Sequence, residues 1–212
     1  MKRTFTTKSQ VVFILGLALA IVGYFGPWVD HKTAALVLTG QDMGEFVKFL
    51  PEVRAGAAPM IREFFYLPPF AAALCLILLL ACKQLAYPLP FRAVMLVVVL
   101  GLAWAMLPPV WTPHLLVTAE FRKQTAAIVF CLLLLVVHPV LCPLPPRFTA
   151  VALIGLALLG VAPPLWQFFA IREAVNRAYG WPVRVGWGLW GTAFGFLVVM
   201  AGAVALFDTD GH

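Results

Sequence analysis

Apolar residues run along this chain in long blocks separated by short polar stretches. Six blocks stand out: Val11–Val29, Leu67–Cys82, Pro90–Leu107, Thr125–Leu141, Thr149–Phe169 and Gly186–Phe207. Runs of about 20 apolar residues have the helix length that spans a bilayer. The pattern therefore predicts an all-α polytopic integral membrane protein with about six transmembrane helices. The second and fourth blocks are the shortest, so five spans is the alternative count. No long polar stretch remains for a soluble domain, and residues 1–212 read as a single transmembrane domain.

The blocks repeat. PLPFR at 88–92 is rewritten as PLPPR at 143–147, and Pro108-Pro109-Val110-Trp111 as Pro163-Pro164-Leu165-Trp166. Every matched position is 55 residues apart, without a gap, so 88–111 and 143–166 are two copies of one unit. Proline suits the first turn of a helix, where its missing N–H costs nothing. Pro90 and Pro145 thus start helices, and the Pro-Pro pairs are expected to end them, because the residue before proline leaves the helical region. Pro90 to Leu107 gives about 27 Å of helix, close to one hydrocarbon core. GLALAIVGYFGPW at 16–28 matches GLALLGVAPPLW at 155–166 more loosely. Ile61-Arg62-Glu63 and Ile171-Arg172-Glu173 lie 110 residues apart, twice the period. The unit is a two-helix hairpin written three times. An even number of crossings makes the copies parallel, about an axis along the membrane normal, in a pseudo-threefold or crescent arrangement.

The first copy carries an insertion, residues 30–66, read as an outer-face loop with short amphipathic helices. Asp42 is a candidate N-cap with Glu45 as its capping-box partner. Met43, Phe46, Val47 and Leu50 then share one face, and Pro51 stops the helix. A second short helix, 59–66, is interrupted at Pro68-Pro69. Such helices would lie on the membrane surface.

Composition agrees with this class. The chain is 63% hydrophobic and 11% charged, against about 25% charged for a soluble domain. The first block, preceded by Lys2, Arg3 and Lys8, is longer than a signal-peptide core and reads as a retained helix. Short loops and the first helix weigh most in orientation. The N-terminal cluster places the N-terminus in the cytoplasm, although the outer segments carry more basic residues in total. A bacterial cytoplasmic membrane is the expected location. The net charge of +6 is accounted for by anionic lipid headgroups and calls for no nucleic acid. Arg92 and Arg147 at the inner surface, and Trp28, Trp111 and Trp166 at the outer one, are the expected interface anchors.

Candidate chemistry is sparse. No Asp or Glu lies inside the six blocks, which argues against carboxylate-coupled transport. His138, in VVHPV, lacks a second histidine at matching depth for haem; beside Pro139 it is suited to bonding a carbonyl freed by a kink. Cys75, Cys82, Cys131 and Cys142 form no CxxC pair and read as packing residues. Asp30-His31-Lys32 is either a metal or headgroup site or the solvated end of a helix. The Arg62-Glu63 and Arg172-Glu173 motifs offer ion pairs between copies, a docking point or ordinary interfacial salt bridges. Gly188, Gly191 and Gly195 form a small-residue stripe on the last helix, with the GxxxG spacing that lets two helices approach, whether internal or foreign. No phosphate-loop, dinucleotide, HExxH or serine-triad signature is present, and no cofactor is expected.

These features point to a non-enzymatic membrane protein, an accessory or scaffold subunit of a larger assembly such as a transporter or electron-transport complex. Its expected contacts are membrane lipids and a partner membrane protein or a second copy of itself. The alternative is a small transporter or binder of an apolar or lipid-like solute.

Overall fold

The computed structural model describes residues 7–33, 36–57, 60–82, 85, 87–108, 111–139 and 145–208. Lys2, Arg3, Pro59, Lys83, Pro109, Cys142 and Pro143 lie outside them. The described chain is mostly helical. Its apolar helices are α1 (Thr7–Phe25), α4 (Leu67–Ala81), α5 (Leu89–Ala105), α7 (Arg122–Val137), α8 (Pro146–Tyr179) and α9 (Trp187–Asp208). Between them lie the short helices α2 (Gly40–Phe46), α3 (Pro51–Arg54) and α6 (Pro113–Leu116), and the strands β1 (Pro27–Asp30), β2 (Leu38–Thr39) and β3 (Arg184–Val185). Among the described residues three helices are long and apolar enough to cross a membrane: Arg62–Ala81, Arg147–Tyr179 and Trp187–Ala205.

α4 is the central helix, with almost every side chain buried. It packs on α1 and α8 to one side and on α5 and α7 to the other. α9 lies along α1 and α8. The α5–α7 pair shares no substantial contact with α8 or α9, so α1, α4, α8 and α9 form a four-helix cluster to which α5 and α7 are joined through α4. The outer faces of α5 and α7 are apolar and exposed, as at Val97 and Val136. Gly101 on α5 and Gly155 on α8 have open space where a Cβ would stand. Alanine at either should raise the thermal midpoint in detergent, adding up to about 1 kcal/mol through helix propensity alone.

α1, α5 and α8 run the same way. At one end the Gln10 side chain donates to the Leu85 carbonyl, and the Tyr87 hydroxyl donates to the Gln10 carbonyl at 3.5 Å. At the other end Gln41 of α2 donates to the Ala105 carbonyl at 3.1 Å, and Gln167 of α8 accepts from the Ile61 amide at 2.9 Å. The segments between α1 and α4, between α5 and α7 and between α8 and α9 therefore gather at one end, as a polar cap.

Several sequence expectations are corrected here. The chain is mostly helical as expected, and to this the cap adds a three-stranded antiparallel sheet in the order β2-β1-β3. Its strands have two to four residues, too few for an alternating pattern to show. α1 ends at Phe25, and Pro27 begins β1. Pro163 and Pro164 do not end a helix; they lie inside the 34 residues of α8. Their missing donors release the carbonyls of Leu159 and Gly160, yet tight packing carries the helix through. A Cβ on Gly160 would stand 2.5 Å from the Phe196 ring of α9 and 3.0 Å from Ala71 of α4. At 1.5 Å per residue α8 is about 51 Å long, roughly 20 Å more than a hydrocarbon core, and the excess enters the cap.

In the insertion, Thr39 is the N-cap of α2 and Asp42 is its capping-box partner. Pro51 opens α3, and Pro68-Pro69 form the first turn of α4 and do not interrupt it. Met43, Val47 and Leu50 do share a face, but it is buried inside the molecule. It meets Trp28, Phe65, Phe168, Ile171 and Val175 in a second hydrophobic core beneath the cap.

Candidate functional site: the polar cap

The cap is held by charge. Arg62 begins a 3-10 turn, Arg62–Tyr66, that leads into α4, and its side chain is only 10% exposed. Its Nη2 donates to Glu45 Oε1 at 2.7 Å and to Gln124 Oε1 at 2.8 Å, while Nη1 reaches Glu120 at 3.3 Å. The guanidinium lies 4.6 Å above the Phe121 ring and 5.6 Å from Tyr66. Glu45 also takes the Tyr66 hydroxyl at 2.8 Å and Lys48 at 2.6 Å. Gln124 donates onward to the Met106 carbonyl, one of the carbonyls that the end of α5 leaves without a helical donor. One arginine thereby joins the insertion, the start of α7 and the end of α5. Arg's planar fork suits such multiple acceptance better than an ammonium would. Beside it, Lys123 pairs with Glu63 at 3.0 Å.

The second motif is used differently. Arg172 and Glu173 lie in α8, not in a loop. Arg172 donates to the Val183 carbonyl at 3.4 Å, and Glu173 pairs with Arg177 one turn on. Arg177 also bonds Glu52 of α3 at 2.6 Å. Among the described residues the two motifs form no ion pair with each other. Arg62 and Glu63 join the turn before α4 to the segment that opens α7, through Glu120 and Lys123.

Burial alone would raise the Glu45 carboxyl. Hydrogen bonds from Lys48 and Tyr66 and the charges of Arg62 and Lys48 overcome it and hold Glu45 below its usual value. Glu52 is lowered too, by its hydrogen bond from Arg177. A carboxylate whose folded value is depressed contributes stability above its unfolded value and loses it as pH falls through the folded one. The cap should therefore be fully stabilised at neutral pH and weaken below about pH 4.3. Thermal midpoints between pH 7 and 3 test this, and Glu45→Gln should flatten the decline.

The remaining sequence candidates fall as follows. Trp28 is not an interface anchor. It is 0% exposed, in edge contact with Tyr24, Phe65 and Phe168 at 6.1–6.3 Å, and its Nε1 donates to the Gly23 carbonyl at 3.3 Å. The chain turns inward at Gly26-Pro27 and takes the ring with it. Trp111 and Trp166 are exposed, as are Arg92 and Arg147 near the opposite end of the bundle. His138 directs Nδ1 to the Leu135 carbonyl at 2.5 Å, the carbonyl whose helical donor Pro139 removes. Cys75, Cys82 and Cys131 are buried. Gly188, Gly191 and Gly195 face α1: a Cβ at 188 would stand 2.6 Å from the Gly23 carbonyl oxygen, and one at 195 would strike the Ala20 backbone. Of the two occupants the sequence allows for this stripe, the structure places the internal one.

Asp30 and His31 end β1 at the cap's edge. His31 stacks on Trp181 with 5.2 Å between ring centres, and its Nδ1 accepts from the Thr33 amide at 2.9 Å. Among the described residues no three His, Cys, Asp or Glu side chains converge as metal ligands.

Sequence reading missed Tyr66, Glu120, Phe121 and Gln124, the partners of Arg62, and Lys48, which pairs with Glu45 and Glu120. Their one signal is local: Glu120, Lys123 and Gln124 share a face at helical spacing just before an apolar run. Comparison with protein-family models, with curated proteins and with solved structures finds no match to this chain.

Proposed function

We propose that the chain is a six-span, non-enzymatic membrane protein that serves as an accessory or scaffold subunit of a larger membrane assembly. In this reading α1, α4, α5, α7, α8 and α9 all cross the bilayer, as three parallel hairpins from a repeated unit. The observation that carries it is the cap. A platform locked by Arg62 presents large apolar side chains beside its charges: Phe49 is 66% exposed, Ile61 42% and Val117 72%. Phe49 follows Lys48, Ile61 precedes Arg62, and Val117 lies three residues before Glu120. Exposed apolar groups among polar ones on a rigid surface suit a protein contact. A photo-crosslinker at Phe49 or Val117 should capture one partner protein in native membranes, and Phe49→Asp should release it. Capture of lipid alone, as at Val136, would contradict the reading.

A groove of about 260 Å³ near the opposite end, lined by Val11, Ile14, Leu15, Tyr87 and Phe91, favours the second reading, a binder of a lipid-like solute. Co-purifying lipid that Ile14→Trp displaces would support it.

A further inference from the structure

We propose that the cleft at the cap's edge binds the zwitterionic headgroup of a phospholipid, phosphate at one side and ammonium at the other. The proposal rests on the membrane reading above for its source of ligand, and on the cleft itself for its chemistry. The cleft has a volume of about 540 Å³ and lies between the end of β1 and the α8–β3 connection, within the range of small-ligand sites. Antiparallel pairing sets Asp30 directly opposite Arg184. Lys32 lines the same space. Among the described residues, Lys32, Arg184 and Asp30 form no ion pair, whereas Lys48, Arg62, Lys123 and Arg177 are all paired with carboxylates.

Two aromatic rings, His31 and Trp181, line the same cleft. His31 and Trp181 stack nearly parallel, at 4°. Tyr179 lies at 6.0 Å from His31, and the Thr33 amide holds the His31 ring. Trp181 remains 52% exposed, so indole surface is open to a ligand. Two cations, one carboxylate and an aromatic face complement a phosphate joined to an ammonium. Lys32 and Arg184 take the phosphate oxygens through charge-assisted hydrogen bonds. Asp30 and the indole take the ammonium, the latter as a cation–π contact. A purely anionic headgroup would leave Asp30 as a repulsive neighbour. Depth fits as well. Trp187 and Trp190, both exposed, open α9 a few residues after Trp181, and tryptophan collects at the headgroup level.

The test uses the full chain in detergent, titrated with glycerophosphoethanolamine and with inorganic phosphate, and then reconstituted in nanodiscs of phosphatidylethanolamine or phosphatidylglycerol. The soluble headgroup should bind, and the ethanolamine lipid should be retained over the glycerol lipid. Lys32→Gln with Arg184→Gln should weaken both soluble probes by about tenfold or more. Asp30→Asn and Trp181→Ala should each weaken glycerophosphoethanolamine several-fold and leave phosphate unchanged. Binding that follows negative charge alone, with no effect of Asp30→Asn, would overturn the proposal, as would no binding of either probe by protein with the wild-type melting curve. If the chain fails to enter nanodiscs yet binds the soluble headgroup, the membrane reading falls and the cleft stands. If it enters them and neither arm binds, the cleft alone falls.

Discussion

Gly195→Leu should cost the bundle about 3 kcal/mol or more, enough to unfold it in mild detergent. α1 and α9 meet backbone to backbone along Gly16, Ala20 and Gly23 on one helix and Gly188 and Gly195 on the other. A Cβ at 195 would lie 2.6 Å from the Gly16 carbonyl oxygen and 2.6 Å from the Ala20 Cα. Neither can yield as a flexible side chain can. Inside a bilayer the added leucine gains nothing in return, because lipid is as apolar as the side chain. Gly155→Leu, where nothing stands within 4 Å, is the control and should melt near wild type. The paired change Gly191→Leu and Gly195→Leu should likewise unfold the chain itself before it affects any partner. A wild-type melting curve for Gly195→Leu would show that α1 and α9 do not pack at this closeness.

Arg62→Ala should be the most damaging change in the cap, at about 3 kcal/mol. It leaves Glu45 half-buried without its closest arginine contact, removes a donor from Gln124 and Glu120, and strips the guanidinium from the faces of Phe121 and Tyr66. The loss is larger than for an exposed ion pair because the side chain is almost fully enclosed. Lys123→Ala breaks an ion pair whose lysine is largely exposed, and should cost less than about 1 kcal/mol. Limited proteolysis of the cap between residues 106 and 124, read alongside the melting curve, should show cleavage in the arginine variant only. Equal protection in both variants would mean that Arg62 does not hold the cap together.

The helices were legible because their signal is long. A block such as Leu67–Cys82 needs only apolarity to be seen, and it appears within one residue of its predicted bounds. The PLPFR start of α5 and the PLPPR start of α8 were legible because proline at a helix start is a local rule. What failed depended on tertiary contacts. Pro163-Pro164 reads as a stop until Phe196 and Ala71 close on Gly160, and α8 continues past the pair. Trp28 reads as an anchor until the turn at Gly26-Pro27 carries it under Gly40, where a Cβ would meet its ring. The glycine stripe was visible, but not its occupant, since spacing cannot say which helix fills a groove. The Arg62-Glu63 motif reads as an ion-pair candidate, but with no partner attached. Its partners Glu45 and Glu120 lie 17 and 58 residues away in sequence, and no local pattern links them.

The central claim is that the chain crosses the membrane so that the cap and the PLPxR ends face opposite sides. Single cysteines at Leu89, Phe148 and Phe49, all exposed positions, can be placed in a background without the native cysteines. They are then labelled in intact cells with a membrane-impermeant maleimide. The account predicts labelling at 49 and protection at 89 and 148 until the membrane is permeabilised. Labelling of 89 and 49 from the same side would contradict the six-span arrangement, and labelling of 89 and 148 but not 49 would contradict the cytoplasmic N-terminus.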